Sequence, residues 1–235
     1  MASLIYHSIY CDGDRVPLSS LLQLRARPMS LSDDAYEAIK RMIVTLALAP
    51  DSAVDEGELQ EKLRIGRTPI REAVLRLERD QLVRIEPRRG VFVTAVDPDE
   101  LTMLFETRAV IEPYSARLAA KRGTAEAWEQ MAAELARAER LKDPSKLLMV
   151  DRRCHEIMWE AAGNRYLTDT LEVLYTHSER VWHFYLRKVA DMHAAVAEHN
   201  EVLDALSSGD AELAATLVES HVRHFDDEIR TAAGA

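Results

Sequence analysis

Four side chains in the second half of the sequence have the types and spacing of a metal centre. Asp151 and His155 stand four apart on a strongly helical stretch, so both lie on one helix face. His199 lies on a later helical stretch, Ser207–Asp210 makes a turn, and His221 lies on the returning helix. His199 is eight residues before that turn and His221 eleven after it. At a rise of about 1.5 Å per residue the two imidazoles reach comparable depth. Three imidazoles and one carboxylate on three helices suit a divalent transition ion: zinc, nickel, copper or iron, with zinc and nickel the leading expectation. A plainer reading stands beside it, because histidines also cap helices, hydrogen-bond or sit at the surface. His7, His177, His183, His193 and His224 are read that way. Cys154 adjoins His155 but points about 100° around the helix, so it is not counted as a ligand. Cys11 and Cys154, 143 positions apart, give no disulfide framework and suggest a reducing compartment.

The second set is basic. Arg67 and Thr68 open a helical stretch, and Arg71 shares a face with Arg67. Arginine can pair bidentately with guanine or clamp a phosphate, and helix-start N–H groups also hold phosphate. Arg88 and Arg89 sit at a turn between two short Val/Ile-rich runs, placed to track a nucleic-acid backbone or enter a minor groove. The formal net charge of −10 argues against nucleic-acid binding, but the charge is unevenly spread. Residues 62–90 hold nine basic and four acidic side chains, and residues 97–235 hold 16 and 26. A basic patch therefore sits in an acidic molecule, which suggests two parts with different tasks. The bland alternative is a solvated basic helix beside a basic turn.

The elements that must carry these groups follow from periodicity. Residues 1–27 show none and read as an extension. A helix is expected from Ser32, with Asp33 and Asp34 in its first turn, and Pro50 closes that segment. Asp55–Leu63 and Thr68–Asp80 read as two further helices. Leu82–Ile85 and Val91–Val96 read as strands around the turn Glu86–Gly90. Three short helices and a hairpin over residues 28–96 make a winged helix-turn-helix, whose recognition helix enters the major groove N-terminus first. Residues 97–235 show helical periodicity almost throughout. Breaks fall near Lys121–Gly123, Asp143–Pro144, Ala162–Asn164, Val189–Asp191 and Ser207–Asp210. The expectation is a mainly α protein: a winged helix-turn-helix followed by an all-α bundle of about six helices. The longest apolar stretch, Met42–Ala49, is far too short to span a bilayer, and the N-terminus lacks a signal-peptide pattern. The expected location is cytoplasmic, with no membrane partner.

The strings Glu58–Leu63, Arg67–Val74, Leu77 and Pro87–Val93 resemble the GntR family of bacterial repressors, whose signature is R-T-P-[VI]-R-E-A followed by a P-R-R-G-[AV]-x-V wing. The resemblance implies DNA contacts by Arg67, Thr68, Arg71, Arg88, Arg89 and Gly90. Three positions depart from the family pattern. Arg64 stands where the family usually has Gly, and a left-handed backbone there would cost a non-glycine residue about 1 kcal/mol. Gly66 replaces the usual Ser or Thr before the recognition helix, removing a capping oxygen. Gly57 stands where several relatives carry a DNA-contacting Arg, and Arg64 is a candidate for the replacement charge.

Residues 99–232 resemble the FCD effector domain of the FadR-type branch of that family. The resemblance rests on Asp151-x-x-x-His155, the A-x-G-N around Gly163, Glu198–Asp210 and His221, and extends upstream to Arg108 within Glu106–Glu112. It implies a metal held by Asp151, His155, His199 and His221. Four protein ligands on a five- or six-coordinate ion leave room for a carboxylate, and Arg108 could take a second oxygen as a fork. Arg108 could equally pair with Glu112 four residues on. Met158, Trp159, Tyr175, Trp182 and Tyr185 either line that cavity or are ordinary core. The expected function is a homodimeric repressor of operator DNA modulated by a small organic acid. The alternatives are a metal-dependent enzyme and a sensor in which the ion is the signal. No H-E-x-x-H, G-x-S-x-G or Gly-rich phosphate loop favours the enzyme.

Overall fold

The computed structural model describes residues 30–185 and 192–233. The extension over residues 1–27 and the break expected near Val189–Asp191 lie outside the described residues. Helix α1 (Leu31–Val44) starts one residue before the expected Ser32. Ser30 caps it, accepting from the Asp33 N–H while the Asp33 carboxylate accepts from the Ser30 N–H. Strand β1 (Ala53–Val54) leads into α2 (Glu56–Leu63), capped by Asp55, whose carboxylate accepts from Gly57 and Glu58. Helix α3 (Arg67–Arg79) begins after Gly66, which supplies no side-chain cap bond. Strands β2 (Val83–Glu86) and β3 (Gly90–Val93) form the wing hairpin. The sheet has three strands in the order β1-β3-β2, all antiparallel. β1 was not expected, because two residues carry no readable alternation. β3 stops at Val93 rather than running to Val96, since the Thr94 N–H and hydroxyl turn back onto Leu82 and Gln81.

Six helices follow among the described residues: α4 (Pro98–Arg122), α5 (Ala125–Ala138), α6 (Pro144–Ala161), α7 (Arg165–Tyr185), α8 (Met192–Ser208) and α9 (Ala211–Ala233). Thr124 and Asp143 cap α5 and α6, and Pro144 occupies the first turn of α6, where a missing N–H costs nothing. Gly163 and Gly209 take left-handed backbone at the two following turns. Pro113 lies inside α4, where it forfeits one helical hydrogen bond without ending the helix. α4 and α9 form the most extensive helix pair, and α6 packs against α4, α5, α7 and α8. Two hydrophobic cores result. One joins Ile39, Ile70, Leu77 and Val93; the other gathers bundle residues from Leu101 to Ile229. No helix among the described residues is long and apolar enough to cross a membrane.

Candidate metal centre and nucleic-acid interface

α6, α8 and α9 bring Asp151, His155, His199 and His221 together, all buried, with one potential ligand atom of each within 4.8 Å of the others. His155 Nε2 lies 3.3 Å from His221 Nε2 and 3.8 Å from Asp151 Oδ2. Asp151 Oδ1 lies 3.6 Å from His221 Nε2 and 3.7 Å from His199 Nδ1. Bonds of about 2.0–2.1 Å to a central ion would hold neighbouring donors about 3.0–3.4 Å apart, so the cluster needs only a slight contraction to close on one.

The groups behind the cluster set its polarity. His221 Nδ1 lies 2.7 Å from Glu198 Oε2, and His155 Nδ1 lies 2.9 Å from Glu112 Oε2. The Glu198 carboxylate accepts from His221 Nδ1–H and so aims His221 Nε2 inward, whereas Glu112 Oε2 sits beside His155 Nδ1 without a hydrogen bond between them. Tyr175 donates its hydroxyl to Asp151 Oδ2, which fixes that carboxylate and leaves Oδ1 without a hydrogen-bond partner, as is His199 Nδ1. A buried carboxylate with an orphaned Oδ1, an orphaned imidazole nitrogen on His199 and the converging nitrogens of His155 and His221 form a set that holds a proton on His221 and that a metal cation would satisfy in its place. The residues fit a transition ion.

The protonation pattern follows from the same packing. Burial works against charge on His221, yet the carboxylates of Asp151 and Glu198 hold its pKa up at about 9. Burial and then the neighbouring His221 push His199 down to about 3. Burial opposes ionisation of Asp151, but the surrounding imidazoles keep it far below the carboxylate range. Burial likewise opposes a charge on Glu112, and Arg108 followed by His155 overcomes it, holding the pKa at about 2.

Arg108 is buried, and its Nε donates to Glu112 Oε1 at 2.5 Å, so the i,i+4 pair forms. Its Nη1 has no partner. Met158, Trp159, Tyr175, Trp182 and Tyr185 are all core residues, and Tyr175 alone among them bonds a cluster member. Cys154 is buried, free and outside the cluster. Sequence reasoning missed Glu112 and Glu198 as supports. Glu198 adjoins His199 in sequence but turns away from it around α8, and so it meets His221 on the antiparallel neighbour. No local signal could have shown this before the α8–α9 pairing was known.

The basic set lies at the opposite end of the chain. Arg64, Arg67, Thr68, Arg71, Arg88, Arg89 and Gly90 are all exposed. Arg67 at the start of α3, Arg89 with Gly90 in the wing, and Gly57 and Gln60 of α2 line one cleft of about 590 Å³. Arg64 ends α2 in left-handed backbone at φ +55°, and Arg88 turns the wing at φ +65°. Arg89 also meets Glu86 at 2.5 Å and lies 5.8 Å from the Phe92 ring. Exposed guanidiniums on a helix start and on a facing hairpin can grip a polyanion along its backbone while the helix reads a groove.

Comparison with known proteins places both halves. The FCD domain family matches residues 103–224, and the family described as bacterial regulatory proteins, gntR family, matches residues 31–93. An uncharacterised HTH-type transcriptional regulator of an unstable DNA locus in Streptomyces ambofaciens is 29% identical over 83% of this chain and 84% of its own length. The HTH-type transcriptional repressor RspR of Escherichia coli K12 is 24% identical over 85% and 89%. Among solved structures, E. coli McbR/YncC superposes with a TM-score of 0.78 at 19% identity, over 86% of this chain and 98% of that one. A GntR regulator from Rhodococcus sp. RHA1 gives 0.71 at 20% identity, over 86% and 99%, and these two likenesses speak to the fold.

Proposed function

Because the chain belongs to the GntR family of bacterial regulatory proteins and carries an FCD domain, we propose that it is a homodimeric repressor whose operator affinity is set by a small carboxylate effector bound at a divalent ion, zinc or nickel, in the helical bundle. The observation that carries the reading is the buried cluster of Asp151, His155, His199 and His221, with its converging ligand atoms and the orphaned Asp151 Oδ1 and His199 Nδ1. Those four residues would hold the ion. When bound, the ion supplies a Lewis-acidic centre with coordination positions open to a carboxylate oxygen. Glu198 fixes the His221 ring, Tyr175 fixes Asp151, Glu112 sets a negative charge beside His155, and the free Nη1 of Arg108 offers a charged donor to the effector. Repression is favoured over activation by one relative, RspR, which is named a repressor. A dimer follows from the need to place two recognition helices on half-sites of one duplex.

In the reading head, Arg67, Thr68 and Arg71 would face base edges and phosphates in the major groove, with Arg64, Arg88, Arg89 and Gly90 on the flanking backbone. Gel retardation on the DNA directly upstream of the protein's own gene, with elemental analysis of the same preparation, tests both halves. Arg71→Ala is expected to weaken binding by about 10–100-fold. His199→Ala is expected to lose the ion and the response to added carboxylates while still binding DNA. Full DNA binding by Arg71→Ala, together with an ion-free wild type, would overturn the reading.

A further inference from the structure

The two hydrophobic cores meet along a junction held by polar pins. Lys40 on α1 reaches Glu172 on α7 at 3.1 Å, His177 Nε2 donates to the Asp80 carbonyl at 2.8 Å, and Arg180 donates to Thr94. Between these pins and the first turns of α4 lies a cavity of about 620 Å³. That volume is within the range of small-molecule sites, roughly 300–1,000 Å³. Leu101, Leu104, Val173, Leu174 and Val181 give it apolar walls.

Arg180 lines this cavity and is 2% exposed. Its terminal nitrogens donate to the Thr94 hydroxyl at 2.8 Å and to the Thr94 carbonyl, and its Nε has no partner. The other buried cations among the described residues are matched: Arg108 by Glu112, and Lys40 by Glu37 and Glu172. Arg180 alone is left with neutral acceptors, and Asp51 and Glu100 act on it only from a distance. A buried guanidinium without a carboxylate is costly, and a carboxylate is a stronger acceptor than a carbonyl.

We propose that the junction cavity is a second ligand site, separate from the metal centre, for a small molecule with one carboxylate and a short apolar body, whose carboxylate takes the Arg180 guanidinium from Thr94. Glu100 also lines the cavity, so a second negative charge on the ligand is disfavoured beyond the one that Arg180 takes. Thr94 is the first residue after β3 and stays bonded to Leu82 and Gln81 within the reading head, so losing Arg180 removes a tie between the head and the bundle while the wing keeps its shape. α7 carries Tyr175 toward Asp151 and, five residues later, Arg180 toward the junction, so the two sites share one helix.

Benzoate serves as the probe and benzyl alcohol as the uncharged control, added to the full-length protein while the arginine Nε–Hε resonances are followed by NMR. Arg180→Gln identifies the Arg180 resonance. Benzoate is expected to move that resonance in the wild type and in His199→Ala, with a Kd in the millimolar range or tighter. Leu104→Trp, which fills the cavity and keeps the arginine, is expected to weaken benzoate by at least about tenfold. Three results would each overturn the proposal: an unmoved Arg180 resonance, undiminished binding by Leu104→Trp, or an equal response to benzyl alcohol. A response lost in His199→Ala would move the ligand to the metal centre and overturn it equally. None of these readouts involves DNA or added metal, so this site can fail while the operator and metal reading stands.

Discussion

The turns of the reading head and the turns of the bundle are built differently. Five non-glycine residues among those described hold positive φ, and all five lie in the reading head: Leu46, Asp51, Arg64, Gln81 and Arg88. In the bundle, left-handed turns fall to Gly163 and Gly209, where they carry no strain. Two of the five strained residues, Arg64 and Arg88, are candidate DNA contacts. Charged groups are arranged in the opposite sense. The candidate contacts of the head are exposed, whereas the bundle buries Arg108, Glu112, Asp151 and three histidines in one connected set. The head places two of its working side chains, the candidate contacts Arg64 and Arg88, by straining backbone at the surface. The bundle places its own by helix packing and must neutralise charge inside. Mutations should therefore cost the head affinity and cost the bundle its fold.

The strongest test of that contrast is Glu112→Ala. It strips the only described ion-pair partner from buried Arg108 and removes the negative charge beside His155. Breaking a buried pair from one side costs about 3–5 kcal/mol. Denaturant unfolding followed by the bundle tryptophans Trp159 and Trp182 should show that loss, and Arg108→Met in the same chain should restore much of it. A loss below about 1 kcal/mol would mean that water reaches Arg108 and that the bundle does not seal its charges.

The same contrast governs what could be read from the sequence. The recognition helix, the wing and the helical stretches were legible because each depends on near neighbours: periodicity, caps, Pro144, the turn at Pro87–Gly90. The four cluster residues were legible because D-x-x-x-H and a helix–turn–helix of known rise fix their faces. Glu112 and Glu198 were not, since each meets its histidine from another helix. β1 was invisible because two residues carry no period, and it forms only because β3 offers an edge at Val91 and Phe92. The pins of the junction also needed tertiary contacts. His177 reads as one of the histidines that cap, hydrogen-bond or sit at the surface, and no local pattern singles out Arg180.

A smaller effect tests the strained side. Arg64 closes α2 with its N–H on the Gln60 carbonyl and its φ at +55°. Arg64→Gly should relieve about 1–2 kcal/mol of steric cost, less the entropy that glycine adds to the unfolded chain, so a modest gain in stability is expected. Operator affinity should move the other way, with the slope of log affinity against log salt shrinking by about 1 as one phosphate contact goes. Opposite signs for stability and affinity would tie the strain to function. Unchanged affinity would leave the left-handed arginine without a purpose and break the comparison at its most specific point.

The junction joins the two regimes and gives the smallest effect. Burial lowers the His177 pKa below its usual value, although the Asp80 carbonyl that accepts from its Nε2 pulls the other way. A histidine whose folded pKa is depressed contributes its stability above the unfolded pKa and loses it as pH falls through the folded one. The contact should therefore be intact at pH 7 and weaken on acidification below about 6.5, where the free imidazole begins to charge. One hydrogen bond at a part-buried site is worth about 1 kcal/mol or less, so neither the head nor the bundle should unfold. What should change is their docking, seen as faster proteolysis of the connecting segment Thr94–Asp97 between β3 and α4 and as a fall in the fluorescence anisotropy of the bundle tryptophans as the two halves move independently. His177→Gln keeps a donor toward Asp80 and cannot titrate, so it should flatten the pH dependence. If it leaves the acid response intact, the loosening starts elsewhere, and the head and bundle are coupled by Arg180 and Lys40 rather than by this bond.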